Sequence, residues 1–171
     1  PFYFNSDDKI LFELPTLEKL VILAPRSKSY LRMWGYRDDN QKDYYPELEL
    51  IKSKKDWNFV VLHSSYLEDF DGFENVTNLS GETNIIECAT ICKKAMLGIV
   101  PDSGIMHLLG LLNIPTIAIF GNVTKPSYRI SNYKNVHPIT TPVTLHNKEK
   151  YDSDPYCHIS CCWQGQIHDC V

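Results

Sequence analysis

Short, continuously apolar runs alternate with amphipathic segments along most of the chain. Each run is closed by a proline or a polar residue, which is typical of strands buried on both faces of a parallel sheet. Between the runs, apolar residues recur at helical spacing, most clearly after Thr83 and Asn84, either of which can cap the helix. The pattern predicts strands at 19–25, 58–63, 76–79, 97–101 and 116–120, and helices at about 45–54, 85–96 and 105–112.

Alternation of strands and helices with short connections predicts the fold class. It indicates an α/β, Rossmann-like parallel sheet with flanking helices, linked by right-handed crossovers. We expect residues 1–171 to form one domain with its α/β core at about 20–133. Residues 26–43 and 121–126 are expected to be loops, and residues 134–171 an irregular tail rich in Cys and His.

Composition excludes several classes of protein. The 171 residues are 43% hydrophobic and 22% charged, as in ordinary globular domains. Seventeen basic against 21 acidic residues give a net charge of −4, which argues against a nucleic-acid partner. No apolar stretch reaches the roughly 20 residues of a membrane span.

The start of the chain bears on localisation. With no signal peptide pattern and no initiator Met, we expect a cytoplasmic piece of a longer protein. Peripheral attachment at the inner face of the membrane is left open.

The six cysteines are unevenly placed. Cys88 and Cys92 lie in a predicted helix, and the other four crowd the tail beside two histidines. A disulfide scaffold would spread its cysteines along a shorter secreted chain, so free thiols are the simpler interpretation. A tetrahedral zinc site in the tail is the less favoured alternative; its ligands would come from Cys157, His158, Cys161, Cys162, His168 and Cys170.

The sharpest candidate site follows the strand at 97–101. Asp102 leaves the strand, Ser103 is placed to cap the next helix, and Gly104 lets a ligand approach the backbone. The free N–H groups and the positive dipole end of a helix start bind anions, and His107, one turn on, is placed to point at the same ligand. Two plainer interpretations remain. Asp-Ser-Gly is a common turn and cap, and Asp102 with His107 can form a structural hydrogen-bonded pair.

Further loops belong to the same edge of the predicted sheet. Ser80 and Thr83 precede a helix and either bind phosphate oxygens or cap that helix, and residues 121–124 follow the fourth strand. Basic residues after the first strand are candidates for diphosphate charge or for a solvated loop: Arg26, Lys28, Arg32 and Arg37. Neither a Gly-x-Gly-x-x-Gly nor a Walker-type loop occurs, which disfavours NAD binding and P-loop hydrolysis.

Residues 78–126 resemble glycosyltransferase family 9, the ADP-heptose:lipopolysaccharide heptosyltransferases. Residues 80–83 (SGET) match the family's turn before a helix, and residues 102–108 (DSGIMHL) match its Asp-(Ser/Thr)-Gly-x-x-His-Leu stretch. Its following Pro-Thr strand and Phe-Gly loop correspond to residues 115–116 and 120–121. The Gly-rich turn that the family usually has after the first strand is missing.

The resemblance implies a GT-B architecture, with two Rossmann-like domains and the active site between them. This chain would be the C-terminal, donor-binding half, inactive alone because the N-terminal acceptor domain and the catalytic base are absent. By the same resemblance the donor's diphosphate or sugar would contact Ser103, Gly104, Met106 and His107, with Asp102 at the sugar, Thr83 on a phosphate oxygen and Lys28 or Arg26 supplying positive charge. Glu68 is a candidate for the ribose contact.

The implied activity is transfer of a heptose or similar sugar, with inversion, from an ADP- or other nucleoside-diphosphate sugar. The acceptor would be a glycan or lipid-linked glycan such as lipopolysaccharide core. Such enzymes need no metal or other cofactor, because a helix dipole and basic side chains stabilise the leaving diphosphate. Two alternatives stay open: a non-catalytic module for nucleotide-sugar binding or assembly, and a GT-B nucleotide-sugar epimerase.

Overall fold

The computed structural model describes residues 18–26, 46–120 and 126–140 in full, and residues 36–37 and 43–44 by their backbone. None of the helices in these ranges is long and apolar enough to cross a membrane. The elements are β1 (Leu20–Leu23), β2 (Tyr36–Arg37), β3 (Asp43–Tyr44), α1 (Pro46–Ser53), β4 (Asn58–Val61), β5 (Val76–Asn78), α2 (Ile85–Cys92), β6 (Leu97–Pro101), α3 (Gly104–Leu111), β7 (Thr116–Phe120), α4 (Pro126–Ile130) and β8 (Val136–Thr140).

Six of the strands form one parallel sheet in the order β5-β4-β1-β6-β7-β8. Counted along the chain within this sheet, the order is 3-2-1-4-5-6, that of doubly wound nucleotide-binding folds. The winding reverses between the neighbours β1 and β6, and ligands of such folds bind in the crevice at the carboxyl ends there. The predicted Rossmann-like fold is therefore confirmed.

Both faces of the sheet are covered, which explains the continuous apolar runs. In β1, Leu20 and Ile22 face one core while Val21 and Leu23 face the other, and all four are fully buried. Helices α2, α3 and α4 pack on the first face. Helix α1 and a 3-10 turn at Glu68–Phe70 cover the second. A strand buried on both sides has no polar face, so its sequence does not alternate.

Strand boundaries agree with the prediction for two strands and differ slightly for three. β6 and β7 begin and end where predicted, whereas β1, β4 and β5 stop one or two residues early. The first residue beyond each of these ends, Ala24, Leu62 or Leu79, still donates a backbone hydrogen bond to a neighbouring strand, and the loops of the carboxyl edge follow. The segment predicted as a loop at 26–43 contributes β2 to a short antiparallel pair with β3.

The prediction that the chain is irregular from residue 134 is wrong for residues 136–140. They form β8, which pairs with β7 and extends the sheet to residue 140. The sequence pattern does not predict β8, because four of its five residues are exposed and it contains Pro138. The Asn135 carbonyl accepts from the Thr116 N–H, so the backbone N–H and C=O groups of residues 135, 137 and 139 point toward β7. Those of Pro138 point away from β7, where a strand needs no N–H donor.

Helix α4 is a second element that the pattern did not predict. It begins at Pro126, the first helical position, where a missing N–H costs nothing. The tail beyond residue 140, with its cysteines and the zinc alternative, lies outside the described residues, as do residues 121–125 and Lys28.

Candidate functional site

A cavity of about 640 Å³ opens at the carboxyl edge, where β1 and β6 part. The segments that follow β1 and β4 line one side of it, and the first turns of α2 and α3 line the other. Its walls comprise Ala24, Arg26, Leu62, His63, Ser64, Thr83, Asn84, Ile85, Cys88, Asp102, Ser103, Gly104 and Ile105. The cavity therefore lies where a doubly wound sheet binds its ligand.

The N-terminus of α3 is open toward this cavity. Ser103 occupies the N-cap position with an extended backbone, yet its side chain makes no capping hydrogen bond, contrary to the predicted cap. Its Oγ is shielded from solvent and has no hydrogen-bond partner among the described residues. The first-turn N–H groups of a helix lack intrahelical partners and carry the positive end of the dipole, so this end can bind an anion.

The N-terminus of α2 borders the same cavity, but side chains of the helix itself already cap it. The Asn84 side chain accepts from the N–H groups of Ile86 at 2.9 Å and Glu87 at 3.1 Å. The Glu87 carboxylate in turn accepts from the Asn84 N–H, completing a capping box. Asn84 is thus the cap, and Thr83 lies at the cavity wall with its Oγ1 3.2 Å from Cys88 Sγ.

The two helical cysteines are free and buried, as the simpler interpretation predicts. Burial raises the pKa of the Cys88 thiol and of Cys92, so both stay protonated at neutral pH. Within the described residues no three His, Cys, Asp or Glu side chains come together as a metal site. Cys88 therefore contributes a small, neutral, weakly polar surface to the cavity.

Ser80 is a structural residue rather than a phosphate ligand. Its side chain is wholly buried, accepts from the Leu67 N–H at 2.8 Å and lies 2.7 Å from Asn78 Oδ1. The next residue, Gly81, has a φ of +76° and approaches the backbone of Tyr66 too closely for a Cβ. The SGET turn thus fastens the loops after β4 and β5 to each other.

Arg26 brings positive charge to the cavity wall beside two acidic residues. Its guanidinium makes an ion pair with Asp69, and Glu47 of α1 lies close enough to feel both charges. Glu47 is almost fully buried, and this burial raises the pKa of its carboxyl from 4.5 to about 7, which the nearby Arg26 only partly opposes. Glu68, considered for the ribose, is exposed on the 3-10 turn.

Asp102 lines the cavity and pairs with a residue that the sequence analysis missed. Its Oδ1 accepts from Arg129 Nε at 3.0 Å, and its side chain is 3% exposed against 36% for Arg129. Arg129 reaches it because β6 and β7 are neighbours, so that α4 begins beside the turn after β6. A single basic residue after a loop carries no sequence signal for this contact.

Met106 and His107 are not among the described residues that line the cavity. Met106 is fully buried in the core, and His107 Nδ1 lies 3.2 Å from the Tyr133 hydroxyl. Burial and then the charge of Arg129 lower the pKa of His107, while Asp102 opposes them. The alternative of a direct Asp102–His107 pair is replaced by these two contacts, with Arg129 and with Tyr133.

His63, Ser64 and Ile85 also line the cavity and were not singled out from the sequence. The first two lie just beyond β4, after Leu62, so the rule used for the other strands, that ligands bind beyond carboxyl ends, would have found them. The His63 ring is held in the turn, with Nδ1 2.9 Å from the Ser65 carbonyl oxygen.

Fold and site together define a Rossmann-like domain of the doubly wound type, with its cavity and the uncapped N-terminus of α3 at the switch point. The family model for glycosyltransferase family 9 (heptosyltransferase) matches residues 40–156, and the chain belongs to that family. No curated protein matches the chain by sequence.

Solved heptosyltransferases share the fold. E. coli ADP-heptose LPS heptosyltransferase II matches at 18% identity and a TM-score of 0.59, covering 74% of this chain and 39% of its own. E. coli WaaC with ADP-2-deoxy-2-fluoro heptose matches at 20% identity and 0.57, covering 78% and 40%. A family 9 transferase from Veillonella parvula matches at 14% and 0.58, covering 82% and 40%. The chain spans about two fifths of the length of these structures.

Proposed function

We propose that this chain is the donor-binding part of a heptosyltransferase-like enzyme and holds a nucleoside-diphosphate sugar in the cavity at the β1/β6 switch point. The observation that carries the proposal is the open N-terminus of α3 on that cavity, with the unpartnered Ser103 Oγ beside it among the described residues. A family match and a similar structure that contains an ADP-sugar analogue support it.

In this proposal the diphosphate lies against the first turn of α3. The N–H groups from Gly104 onward and the Ser103 hydroxyl donate to its oxygens, and Arg26 adds positive charge from the opposite wall. Leu62, Ile85 and Ile105 supply apolar surface for the nucleoside. A cavity of about 640 Å³ has the size of ordinary small-molecule sites.

The same arrangement would assist the chemical step. An acceptor hydroxyl attacks the anomeric carbon, the bond from that carbon to the diphosphate oxygen breaks, and the configuration inverts. The departing nucleoside diphosphate keeps the bonding electron pair, so negative charge grows on the oxygen nearest α3. Oriented N–H donors stabilise such charge more in the transition state than in the bound donor.

Among the residues implied by the family resemblance, the cavity wall contains Arg26, Thr83, Asp102, Ser103 and Gly104, which we keep as proposed donor contacts. Met106 and His107 are proposed to support the α3 turn from behind. The acceptor, for which lipopolysaccharide core is the proposed class, and the base that takes its proton would belong to the whole enzyme.

Calorimetric titration of the full chain with adenosine, AMP, ADP and ADP-heptose tests the proposal. We expect ADP to bind at least about tenfold more tightly than adenosine, because the second phosphate reaches the α3 N-terminus. UDP and GDP in parallel report the preferred base. A chain that binds none of these nucleotides at millimolar concentration contradicts the proposed function.

A matched pair of variants distinguishes the effect of a charge at the cavity wall from that of the net charge of the chain. Arg26→Gln removes a charge at the cavity wall, and Lys94→Gln removes one from an exposed position just past the far end of α2. We expect Arg26→Gln to weaken ADP binding by about tenfold and Lys94→Gln to leave it unchanged within about twofold.

A further inference from the structure

The Asp102–Arg129 ion pair joins the cavity to a helix that does not line it. Asp102 belongs to the cavity wall, whereas Arg129 is on α4, outside the described residues of that wall. The carboxylate is buried and the guanidinium lies at the surface. The hydrogen bond from Arg129 restricts rotation of this buried carboxylate, because turning Oδ1 away would break a charge-assisted contact.

The contact has the geometry of a positioning interaction. It uses Nε of Arg129 at 3.0 Å from Oδ1, a charge-assisted hydrogen bond that restricts the direction of the carboxylate. The two residues come from neighbouring crossover units, one after β6 and the other after β7. The pair therefore also fixes the carboxyl end of one unit to the next.

We propose that Arg129 is a positioning residue for the sugar of the donor, acting through Asp102. This rests on the proposed function, in which the diphosphate is at the α3 N-terminus and Asp102 is a donor contact, and on the family resemblance, which implies that Asp102 is at the sugar. An ionised carboxylate accepts hydrogen bonds and donates none, so it recognises hydroxyl groups and repels acidic sugars. A neutral sugar rich in hydroxyls, as in the proposed function, fits this recognition.

The charge of Arg129 has a second consequence on the same side of the cavity. Arg129 and Asp102 are the two charged groups that act on His107 in the described part of the chain, and Tyr133 contacts its ring. Arg129 opposes protonation of His107, and Asp102 favours it. His107 thus reports whether Arg129 remains in place when a variant is made.

The experiment compares ADP-heptose with ADP on the same full chain. We expect Arg129→Gln to weaken ADP-heptose binding by at least about tenfold and ADP binding by less than about twofold, because only the sugar loses its positioned acceptor. In an Asp102→Asn background, Arg129→Gln should change ADP-heptose affinity by less than about twofold, since a residue that acts through another adds nothing once that partner is changed.

Control variants and a spectroscopic readout separate positioning from loss of fold. Lys94→Gln is the charge-matched control, and circular dichroism verifies folding. By NMR titration, Arg129→Gln should raise the pKa of His107, because it removes the positive charge that lowers this pKa. Arg129→Lys keeps a positive charge and should leave the pKa low. Arg129→Lys should restore only part of the ADP-heptose affinity, because its ammonium lacks the Nε geometry.

Each contrary outcome is distinct. Equal losses of ADP and ADP-heptose affinity in Arg129→Gln overturn the positioning role while leaving the proposed function intact. An unchanged loss in the Asp102→Asn background overturns the route through Asp102. A wild-type chain that binds neither ligand overturns the proposed function, and this assignment with it.

Discussion

Helices α2 and α3 begin at the same cavity, on the same face of the sheet, and their first turns differ. At the start of α2 the Asn84 and Glu87 side chains accept from three backbone N–H groups, those of Asn84, Ile86 and Glu87, at distances of 2.8 to 3.1 Å. α3 begins with Ser103, whose side chain leaves the N–H groups uncapped. A capped end favours stability and an open end favours a ligand, so the difference supports α3 rather than α2 as the proposed diphosphate site.

The largest expected effect comes from making α3 resemble α2. Ser103→Asp would cap the first turn and place a carboxylate where the diphosphate is proposed to bind. We expect ADP affinity in calorimetry to fall by at least about a hundredfold, because like charges and blocked donors act together. The neutral cap of Ser103→Asn is the control and should cost less. Full ADP affinity in Ser103→Asp would mean that α3 is not the anion site.

A second variant pair tests how firmly the α2 side of the cavity is fixed. Gly81→Ala puts a Cβ 2.7 Å from the Tyr66 backbone nitrogen at a φ of +76°, whereas Gly72, at +79°, has nothing within 4 Å. We expect a loss of unfolding free energy of about 3 kcal/mol at Gly81 and about 1 kcal/mol at Gly72. Urea denaturation measures both, and equal losses would show that close packing of the SGET turn contributes nothing.

Helix α1 extends the comparison to a first turn that contains a buried carboxyl, that of Glu47. Its pKa of about 7 exceeds the ordinary 4.5, so the folded chain binds a proton that the unfolded chain releases between these values. Stability should therefore fall as pH rises from about 4.5 to 7, by roughly 2–3 kcal/mol.

Chemical denaturation at pH 5 and pH 8 measures this loss. Glu47→Gln should abolish it and be more stable than the wild type at pH 8. Glu49→Gln, exposed on the same helix, should keep the wild-type profile. Identical pH profiles for the wild type and Glu47→Gln would refute the assignment.

The smallest expected effect is the converse of the first. Asn84→Ala opens the α2 first turn by removing its cap and should lower the free energy of unfolding by about 1 kcal/mol. Its effect on ADP affinity should be far below that of Ser103→Asp. If Asn84→Ala lowers the free energy of ADP binding by more than it lowers the free energy of unfolding, the α2 first turn also contacts the ligand.

Local sequence signals predicted the buried strands, the three longer helices and the turn after β6, and they failed for contacts between residues distant in the sequence. Apolar runs are sufficient to locate β6 and β7, and Asp102 to Gly104 is readable as a turn before a helix. The partner of Asp102 is 27 residues away, and that of His107 is 26 residues away. These side-chain contacts depend on which strands are neighbours in the sheet, and a single sequence does not show the order of the strands.

β8 is the edge strand of the sheet formed by the described residues, and its sequence affects how copies of the protein could pair through that edge. Pro138 faces outward from the described sheet and presents no donor there. A strand from a second molecule would find a gap in the ladder it needs, and edge-to-edge aggregation would lose a hydrogen bond at its centre. Replacing this proline by a β-branched residue would give neighbouring molecules an uninterrupted template for intermolecular sheet growth.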